Sequence, residues 1–138
     1  MTARLDLQSI EGAIGRLAEA LNALDAEPEN TLIRDAVIQR FEFTYELSHK
    51  MLRRYLEMTA PNPQAIEQIS FQDLIRTGNE QGLLRSDWER WREWRQARGI
   101  TSHTYNEQMA QQVVAVIPDF LVEARHLCQQ LQHRKIRP

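Results

Sequence analysis

The chain has 138 residues, which fits one domain that is large enough to bury a hydrophobic core. Its 42% hydrophobic and 26% charged residues are ordinary for a globular protein, and only 5 glycines and 5 prolines argue against a loop-rich all-β fold. The formal net charge of -2 excludes a polycation, so any contact with nucleic acid requires a local basic patch.

The expected cellular location is the cytoplasm. No run reaches the roughly 18 apolar residues that span a membrane, and the N-terminus MTARLDLQS is too polar for a signal peptide. The one cysteine, Cys128, excludes an internal disulfide and suits a reducing compartment. It lies in a helical pattern, which favours a packing role.

The first two elements are predicted helices joined by a short turn. Apolar residues recur at helical spacing over 8–26, and Ser9 is the expected N-cap. The turn at 27–30 ends in Asn30, which is placed to cap the longest predicted helix, over 31–59.

The helix over 31–59 carries apolar residues on two sides. One face is formed by Val37, Ile38, Phe41, Tyr45, Leu52, Tyr55 and Leu56, and the second by Phe43, Leu47 and Met51. The polar sector includes Glu42 and Glu46, which we assign to a solvated face. A helix with two apolar sides is expected to lie at the centre of a bundle or to be shared with a second subunit.

The middle of the chain predicts a linker and two more helices. The segment 60–65 contains two prolines and is interpreted as a linker without helix. Ser70 begins a capping-box pattern that opens a helix over 71–80. A second capping-box pattern opens a helix over 87–98.

A third capping-box pattern, at 104–107, opens the last predicted helix, over 105–132. No segment alternates with period two, so no strand is expected. About five helices with short connections predict an all-α fold, an antiparallel up-and-down bundle. We expect one domain over 1–138.

The segment RQARGITSHTYNE at 95–107 places three reactive side chains where two helices meet. Arg98 is predicted to end one helix, His103 precedes the N-cap of the next, and Tyr105 begins it. The N–H groups at a helix start favour an anion, and a guanidinium suits phosphate oxygens. The combination indicates phosphate-ester chemistry, although an arginine near a helix end and a histidine before a cap are also typical of purely structural roles.

The chain resembles the HEPN proteins (higher eukaryote and prokaryote nucleotide-binding domains). Within them it is most similar to the bacterial nucleotidyltransferase substrate-binding group related to HepT-type toxins. Two stretches carry the resemblance, RDAVIQRFEFTYELSHKMLRRYLE at 34–57 and RGITSHTYNE at 98–107. It implies a helical bundle that dimerises, so that the Arg-x4-His corners of two subunits face one cleft. It also implies a ribonuclease toxin that needs no metal or cofactor and is paired with a small nucleotidyltransferase.

By position in these motifs, Arg98 and His103 are the implied catalytic pair, and Tyr105 matches the tyrosine that receives AMP from the partner nucleotidyltransferase. The chain departs from the family in two places. Gly99 follows the arginine where a polar residue is common, which removes a possible hydrogen-bonding group. His49 stands where relatives tend to carry tryptophan, which adds a titratable group.

These residues support RNA cleavage by internal transesterification. The ribose 2′-OH attacks the adjacent phosphate and leaves a 2′,3′-cyclic phosphate. His103 suits the role of general base or acid because an unperturbed imidazole has a pKa of about 6.5. Two subunits would supply two such histidines, and Arg98 would stabilise charge on the phosphorane oxygens. The sequence offers no HExxH motif and no Cys/His cluster at metal-ligand spacing.

Other basic and aromatic residues have two interpretations each. Trp88, Trp91 and Trp94 recur every three residues and either stack bases or, as we favour, pack into the core or a dimer seam. Arg34 and Arg40 fall near the apolar sectors of the long helix. They either line the cleft and bind phosphate or, as we favour, extend their charged ends to solvent or pair with carboxylates.

Two functions compete. The first is a HEPN ribonuclease toxin that acts on RNA and is neutralised by adenylylation from a partner nucleotidyltransferase. The second is a non-catalytic subunit that docks a small nucleotidyltransferase and presents a nucleotide or another substrate. The set of Arg98, His103 and Tyr105 favours the first, and Gly99 favours the second. Both functions predict a homodimer that binds a nucleotidyltransferase and does not bind a membrane. A plain helical scaffold would leave the residues Arg98, His103 and Tyr105 without an explanation.

Overall fold

The computed structural model describes residues 5–103 and 106–135, without the side chains of 101–103 and 135. Within those ranges it contains six helices and no strand, which confirms the predicted all-α class with one helix more than expected. The helices are α1 (Gln8–Ala26), α2 (Thr31–Thr59), α3 (Pro63–Gln68), α4 (Phe71–Glu80), α5 (Trp88–His103) and α6 (Glu107–Lys135).

The four long helices, α1, α2, α5 and α6, run up, down, up and down. A short turn at 27–30 reverses the chain between α1 and α2. α5 and α6 are antiparallel, because Trp91 bonds Glu123 while Trp94, one turn later on α5, bonds the earlier carbonyl of Val116. The short helices α3 and α4 occupy the connection between α2 and α5. The predicted up-and-down bundle is therefore confirmed.

Aromatic rings form the centre of the core. Phe41 and Tyr45 of α2, Trp91 and Trp94 of α5, and Phe120 of α6 contact one another at ring-centroid distances of 5.2–6.0 Å. Most of these pairs are edge-to-face, which adds to the stabilisation from buried area. Trp91 and Trp94 are 0% exposed, so the packing interpretation of these two tryptophans is confirmed.

Two helix starts, those of α2 and α4, follow the predicted capping, whereas α1 does not, and α5 begins at Trp88 with Asp87 Oδ1 accepting from the backbone N–H of Arg90 at 3.4 Å, one residue after the predicted start. Asn30 caps α2 by accepting from two backbone N–H groups at 3.0 and 3.2 Å, and Ser70 caps α4 by accepting from one at 3.1 Å. The predicted N-cap Ser9 is wrong, because α1 already begins at Gln8. There the Asp6 carboxylate accepts from the backbone N–H of Gln8 at 3.0 Å.

The predicted linker at 60–65 is wrong in its second half, where α3 begins at Pro63. A proline at the first position of a helix already has the φ angle that the helix needs. Its missing N–H is no loss there, because the first N–H groups of a helix have no partner within it. The proline that suggested a linker is therefore compatible with a helix start.

α5 ends later than the sequence indicates. It continues through Arg98 and Gly99 to His103, beyond the predicted end at 98. Arg98 therefore lies inside a helix and not at its end. One glycine lowers helix stability by only about 1 kcal/mol relative to alanine, so it need not terminate the helix.

α6 begins at Glu107, later than the predicted start at 105. Asn106 provides the cap, since its side-chain oxygen accepts from the backbone N–H of Met109 at 2.9 Å. The predicted cap Thr104 and its neighbour Tyr105 lie outside the described residues.

Gly99→Ala is expected to raise the free energy of unfolding. A methyl group at Gly99 would meet no atom within 4 Å, and alanine in a helix interior is favoured over glycine by about 0.5–1 kcal/mol. Gly78→Ala is the control, because its Cβ would lie 3.0–3.1 Å from the side chains of Leu84 and Leu52, so that crowding offsets the gain from alanine and a smaller increase or a decrease is expected. Urea unfolding measures both, and a destabilised Gly99→Ala protein would contradict the helical conformation at Gly99.

Candidate functional site

Arg98 is held between α5 and α2 by two carboxylates. Its Nη1 lies 3.1 Å from Glu42 Oε2, and its Nε lies 3.5 Å from Glu46 Oε1. The three side chains are 30%, 29% and 39% exposed, so solvent reaches parts of all three, although Arg98 Nε itself is buried. The guanidinium is thus ordered and accessible, which suits a contact with phosphate oxygens.

The two carboxylates belong to one stripe of α2. Positions 42, 46, 49 and 53 recur at helical spacing and share one side of the helix. Arg98 of α5 meets Glu42 and Glu46 on this side, so these glutamates, expected on a solvated face, are only partly exposed and pair with an arginine. The polar sector is visible in the sequence, but the helix that covers it is determined by tertiary packing.

His49 extends the network beyond Glu46. Its Nε2 lies 3.2 Å from Glu46 Oε2, and its ring contacts Tyr45 and Phe71 edge-to-face at centroid distances of 5.3 and 5.4 Å. Burial lowers the pKa of His49 below the ordinary value of 6.5, although the neighbouring Glu46 carboxylate opposes the shift. At pH 7 the imidazole is therefore uncharged and shares one carboxylate with Arg98.

Aromatic side chains border the same region. Phe71 of α4 packs edge-to-face against Trp88 at a centroid distance of 5.9 Å, and the guanidinium of Arg95 lies 5.2 Å from the centre of the Phe71 ring. Trp88 is the one tryptophan of the chain that keeps part of its surface exposed. A cation over an aromatic ring, close to Arg98, is a surface that suits bases and phosphates.

Two of the predicted site residues fall at the edge of the described structure. The backbone of His103 ends α5, five residues and about 7.5 Å along the helix axis from Arg98. The side chain of His103 and the whole of Tyr105 lie outside the described residues. Their roles stay predictions, and the residues that the structure does bring to Arg98 are the unpredicted Glu42 and Glu46.

The two other predicted arginines lie on different sides of α2. Arg34 bonds Glu107 at 2.6 Å and thereby joins the first turns of α2 and α6. The hydrogen bond lowers the pKa of the Glu107 carboxyl. Both residues line a cavity of about 500 Å³. Arg40 faces α1, where it donates to the carbonyl of Arg16 at 2.8 Å and lies 3.4 Å from Glu19. Both arginines pair with carboxylates, and their binding of phosphate stays a prediction.

The fold and the site together define a helical-bundle protein whose polar network is built around one arginine. Over residues 5–133 the chain matches the family described as nucleotidyltransferase substrate binding protein like. The chain belongs to this family, and the resemblance identified from the sequence is confirmed.

Relatives of this chain include one named protein and two solved structures. A Haemophilus influenzae protein named probable ribonuclease HepT is 39% identical, over 97% of this chain and 97% of its own. A solved Haemophilus influenzae structure, described as revealing the fold of a substrate-binding domain of a nucleotidyltransferase, is 36% identical with a TM-score of 0.82, over 92% of this chain and 99% of its own. A solved protein of Thermus thermophilus is 35% identical with a TM-score of 0.63, over 93% of this chain and 99% of its own.

The described residues offer no metal site, no membrane-spanning helix and no exposed cysteine. Over 5–103 and 106–135, no three His, Cys, Asp or Glu side chains are grouped so that they could hold a metal ion. No helix in the same ranges is long and apolar enough to cross a membrane. Cys128 is buried, and burial raises the pKa of its thiol, which agrees with a packing role.

Proposed function

We propose that this chain is a metal-independent HEPN ribonuclease toxin, a single domain over 1–138 that cuts RNA as a homodimer and is neutralised by a partner nucleotidyltransferase. The observation that carries the proposal is the ordered, accessible guanidinium of Arg98, on the same helix as His103 and five residues before it. The name probable ribonuclease, carried by a relative that is 39% identical, supports the same activity.

The proposed reaction is internal transesterification. His103 of one subunit takes the proton of the ribose 2′-OH, whose oxygen attacks the adjacent phosphorus. The bond from phosphorus to the 5′-oxygen breaks, and His103 of the second subunit gives a proton to that leaving oxygen. Arg98 donates hydrogen bonds to the phosphorane oxygens, while Glu42 and Glu46 hold its guanidinium in place. The products carry a 2′,3′-cyclic phosphate and a 5′-OH.

The homodimer is supported by apolar surface on α2. Of the predicted second apolar face, Phe43 is 58% exposed, and Leu47 and Met51 are only partly buried. An exposed phenylalanine beside partly covered apolar residues is typical of a protein–protein contact. Light scattering of the purified chain tests the proposal, and a monomer at micromolar concentration would contradict it.

Adenylylation of Tyr105 is the proposed means of neutralisation. The added nucleotide would carry its phosphate two residues before the start of α6, where helix N–H groups favour an anion, and would repel RNA. Tyr105→Phe is expected to abolish AMP transfer from the partner nucleotidyltransferase, whereas the control Tyr55→Phe should leave it unchanged. Intact-protein mass spectrometry after incubation with ATP and the partner measures the transfer. Equal addition to Tyr105→Phe and wild type would contradict the assignment.

A second candidate is a non-catalytic subunit that binds a nucleotide or another substrate for the nucleotidyltransferase. The family description favours it, and so does the pairing of Arg98 with two carboxylates, which reduces the positive charge that a phosphate meets. Incubation of RNA with the partner-free chain in EDTA separates the two candidates. Cleaved RNA supports the nuclease, whereas intact RNA and a stable complex with the nucleotidyltransferase would support the second candidate.

A further inference from the structure

The carboxylate of Glu46 is shared by two groups on opposite sides. Its Oε1 lies 3.5 Å from Arg98 Nε, and its Oε2 lies 3.2 Å from His49 Nε2. Arg98 carries a permanent charge, whereas the imidazole gains one only on protonation. The strength of the hydrogen bond from His49 to Glu46 therefore depends on pH, while the charge of the competing guanidinium does not.

We propose that His49 is a positioning residue for Arg98: its protonated imidazole draws the Glu46 carboxylate to itself and leaves Arg98 held by Glu42, so that the guanidinium meets a phosphate with less of its charge neutralised. As a statement about RNA, this inference rests on the proposed function. As a statement about coupling between His49 and Arg98, it stands on the geometry of the described residues alone.

The charged groups around His49 influence the pH at which its imidazole is protonated. Glu46 favours the protonated form, and Lys50 and Arg53 of α2 disfavour it. α4 contributes the uncharged ring of Phe71, with Arg95 of α5 over that ring. Burial is the largest influence and lowers the pKa of His49 below 6.5. Protonation therefore takes place below pH 6.5, and hydrogen bonds to the charged imidazolium are stronger than those to the neutral ring.

Coupling between two sites is reciprocal. If protonation of His49 loosens the contact between Glu46 and Arg98, then loss of the Arg98 charge must raise the pKa of His49, because Glu46 becomes fully available to the imidazole. A direct electrostatic effect of Arg98 would raise the same pKa. The two causes differ in one respect, since only the first requires the Glu46 carboxylate.

The test is an NMR titration of the assigned His49 imidazole in the full-length chain, in a double-mutant cycle. Arg98→Ala is expected to raise the pKa of His49 by about 0.5 unit or more, and Glu46→Gln to lower it. In the Glu46→Gln background, the shift caused by Arg98→Ala should fall to less than half. Arg53→Ala is the matched control, because its shift should be equal in both backgrounds. An Arg98→Ala shift of the same size with and without the Glu46 carboxylate would overturn the inference.

The pH profile of RNA cleavage tests the functional consequence. Relative to His49→Gln, the wild type should gain cleavage rate as the pH falls below 6.5, since the other groups of the proposed mechanism are the same in both proteins. Parallel profiles would overturn the role of His49 in activity. If the wild type cuts no RNA at any pH, the proposed ribonuclease fails, while the NMR cycle still decides whether His49 and Arg98 are coupled through Glu46.

Discussion

Glu123→Ala is expected to lower the free energy of unfolding by about 3–5 kcal/mol. Glu123 is a carboxylate in α6 that is only 1% exposed. Its Oε1 accepts from the backbone N–H of Arg85 at 2.9 Å, and its Oε2 accepts from the N–H of Ser86 at 3.0 Å and from Trp91 Nε1 at 2.9 Å. One buried charge therefore fixes the loop before α5 and a core tryptophan to α6.

The expected loss of unfolding free energy is large because Glu123→Ala leaves hydrogen-bond donors without a partner. Alanine removes the acceptor for three N–H groups, of which the Trp91 indole N–H is buried and the two backbone N–H groups are partly buried. A fully buried donor without a partner costs about 1–3 kcal/mol, and a partly buried one costs less. A cavity adds to the loss. Glu123→Gln keeps the shape but replaces an acceptor with a donor, so an intermediate loss is expected.

Urea unfolding with linear extrapolation measures these losses. The matched control is Asp119→Ala, one turn earlier on α6, where the carboxylate is 60% exposed and lies 3.4 Å from Arg90. An exposed ion pair of this kind contributes less than about 1 kcal/mol. A Glu123→Ala protein within about 1 kcal/mol of the wild type would contradict the structural role of the buried carboxylate.

Arg98→Ala is expected to lower the rate of RNA cleavage by about 100-fold or more. In the proposed mechanism, the substitution removes the donor to the phosphorane oxygens. It also leaves Glu42 and Glu46 without the guanidinium that neutralises them, so that two carboxylates repel the substrate phosphate. Arg98→Lys keeps a point charge but loses the planar two-point contacts, and partial recovery of the rate is expected.

Arg92→Ala is the control for Arg98→Ala, because Arg92 is an exposed arginine on the same helix. The Arg92→Ala protein should cleave RNA at nearly the wild-type rate. Circular dichroism and light scattering establish that each variant is folded and has the wild-type oligomeric state. Equal rates for Arg98→Ala and the wild type would remove Arg98 from the proposed mechanism.

Local signals in the sequence predict most of the fold. The bounds of α2 agree with the prediction over 31–59, and the caps Asn30 and Ser70 form the expected hydrogen bonds. These features depend on residues only a few positions apart, so the sequence contains their cause. The core tryptophans Trp91 and Trp94 follow in the same way from helical spacing.

The partners of the site residues could not be predicted in the same way. Glu42 and Glu46 show helical spacing in the sequence, but their contact with Arg98 depends on how α5 packs against α2. Glu123 looks like any surface glutamate of a long helix until the loop at 85–86 is folded against it. The contacts of Glu42, Glu46 and Glu123 depend on long-range packing, which no local sequence pattern predicts.

The most direct test of the proposed ribonuclease is incubation of a structured RNA with the purified, partner-free chain in EDTA, with His103→Ala in parallel. We expect fragments with 2′,3′-cyclic phosphate ends from the wild type and intact RNA from the variant. Identical RNA from the two proteins, both folded and dimeric, would contradict the ribonuclease and favour the non-catalytic subunit.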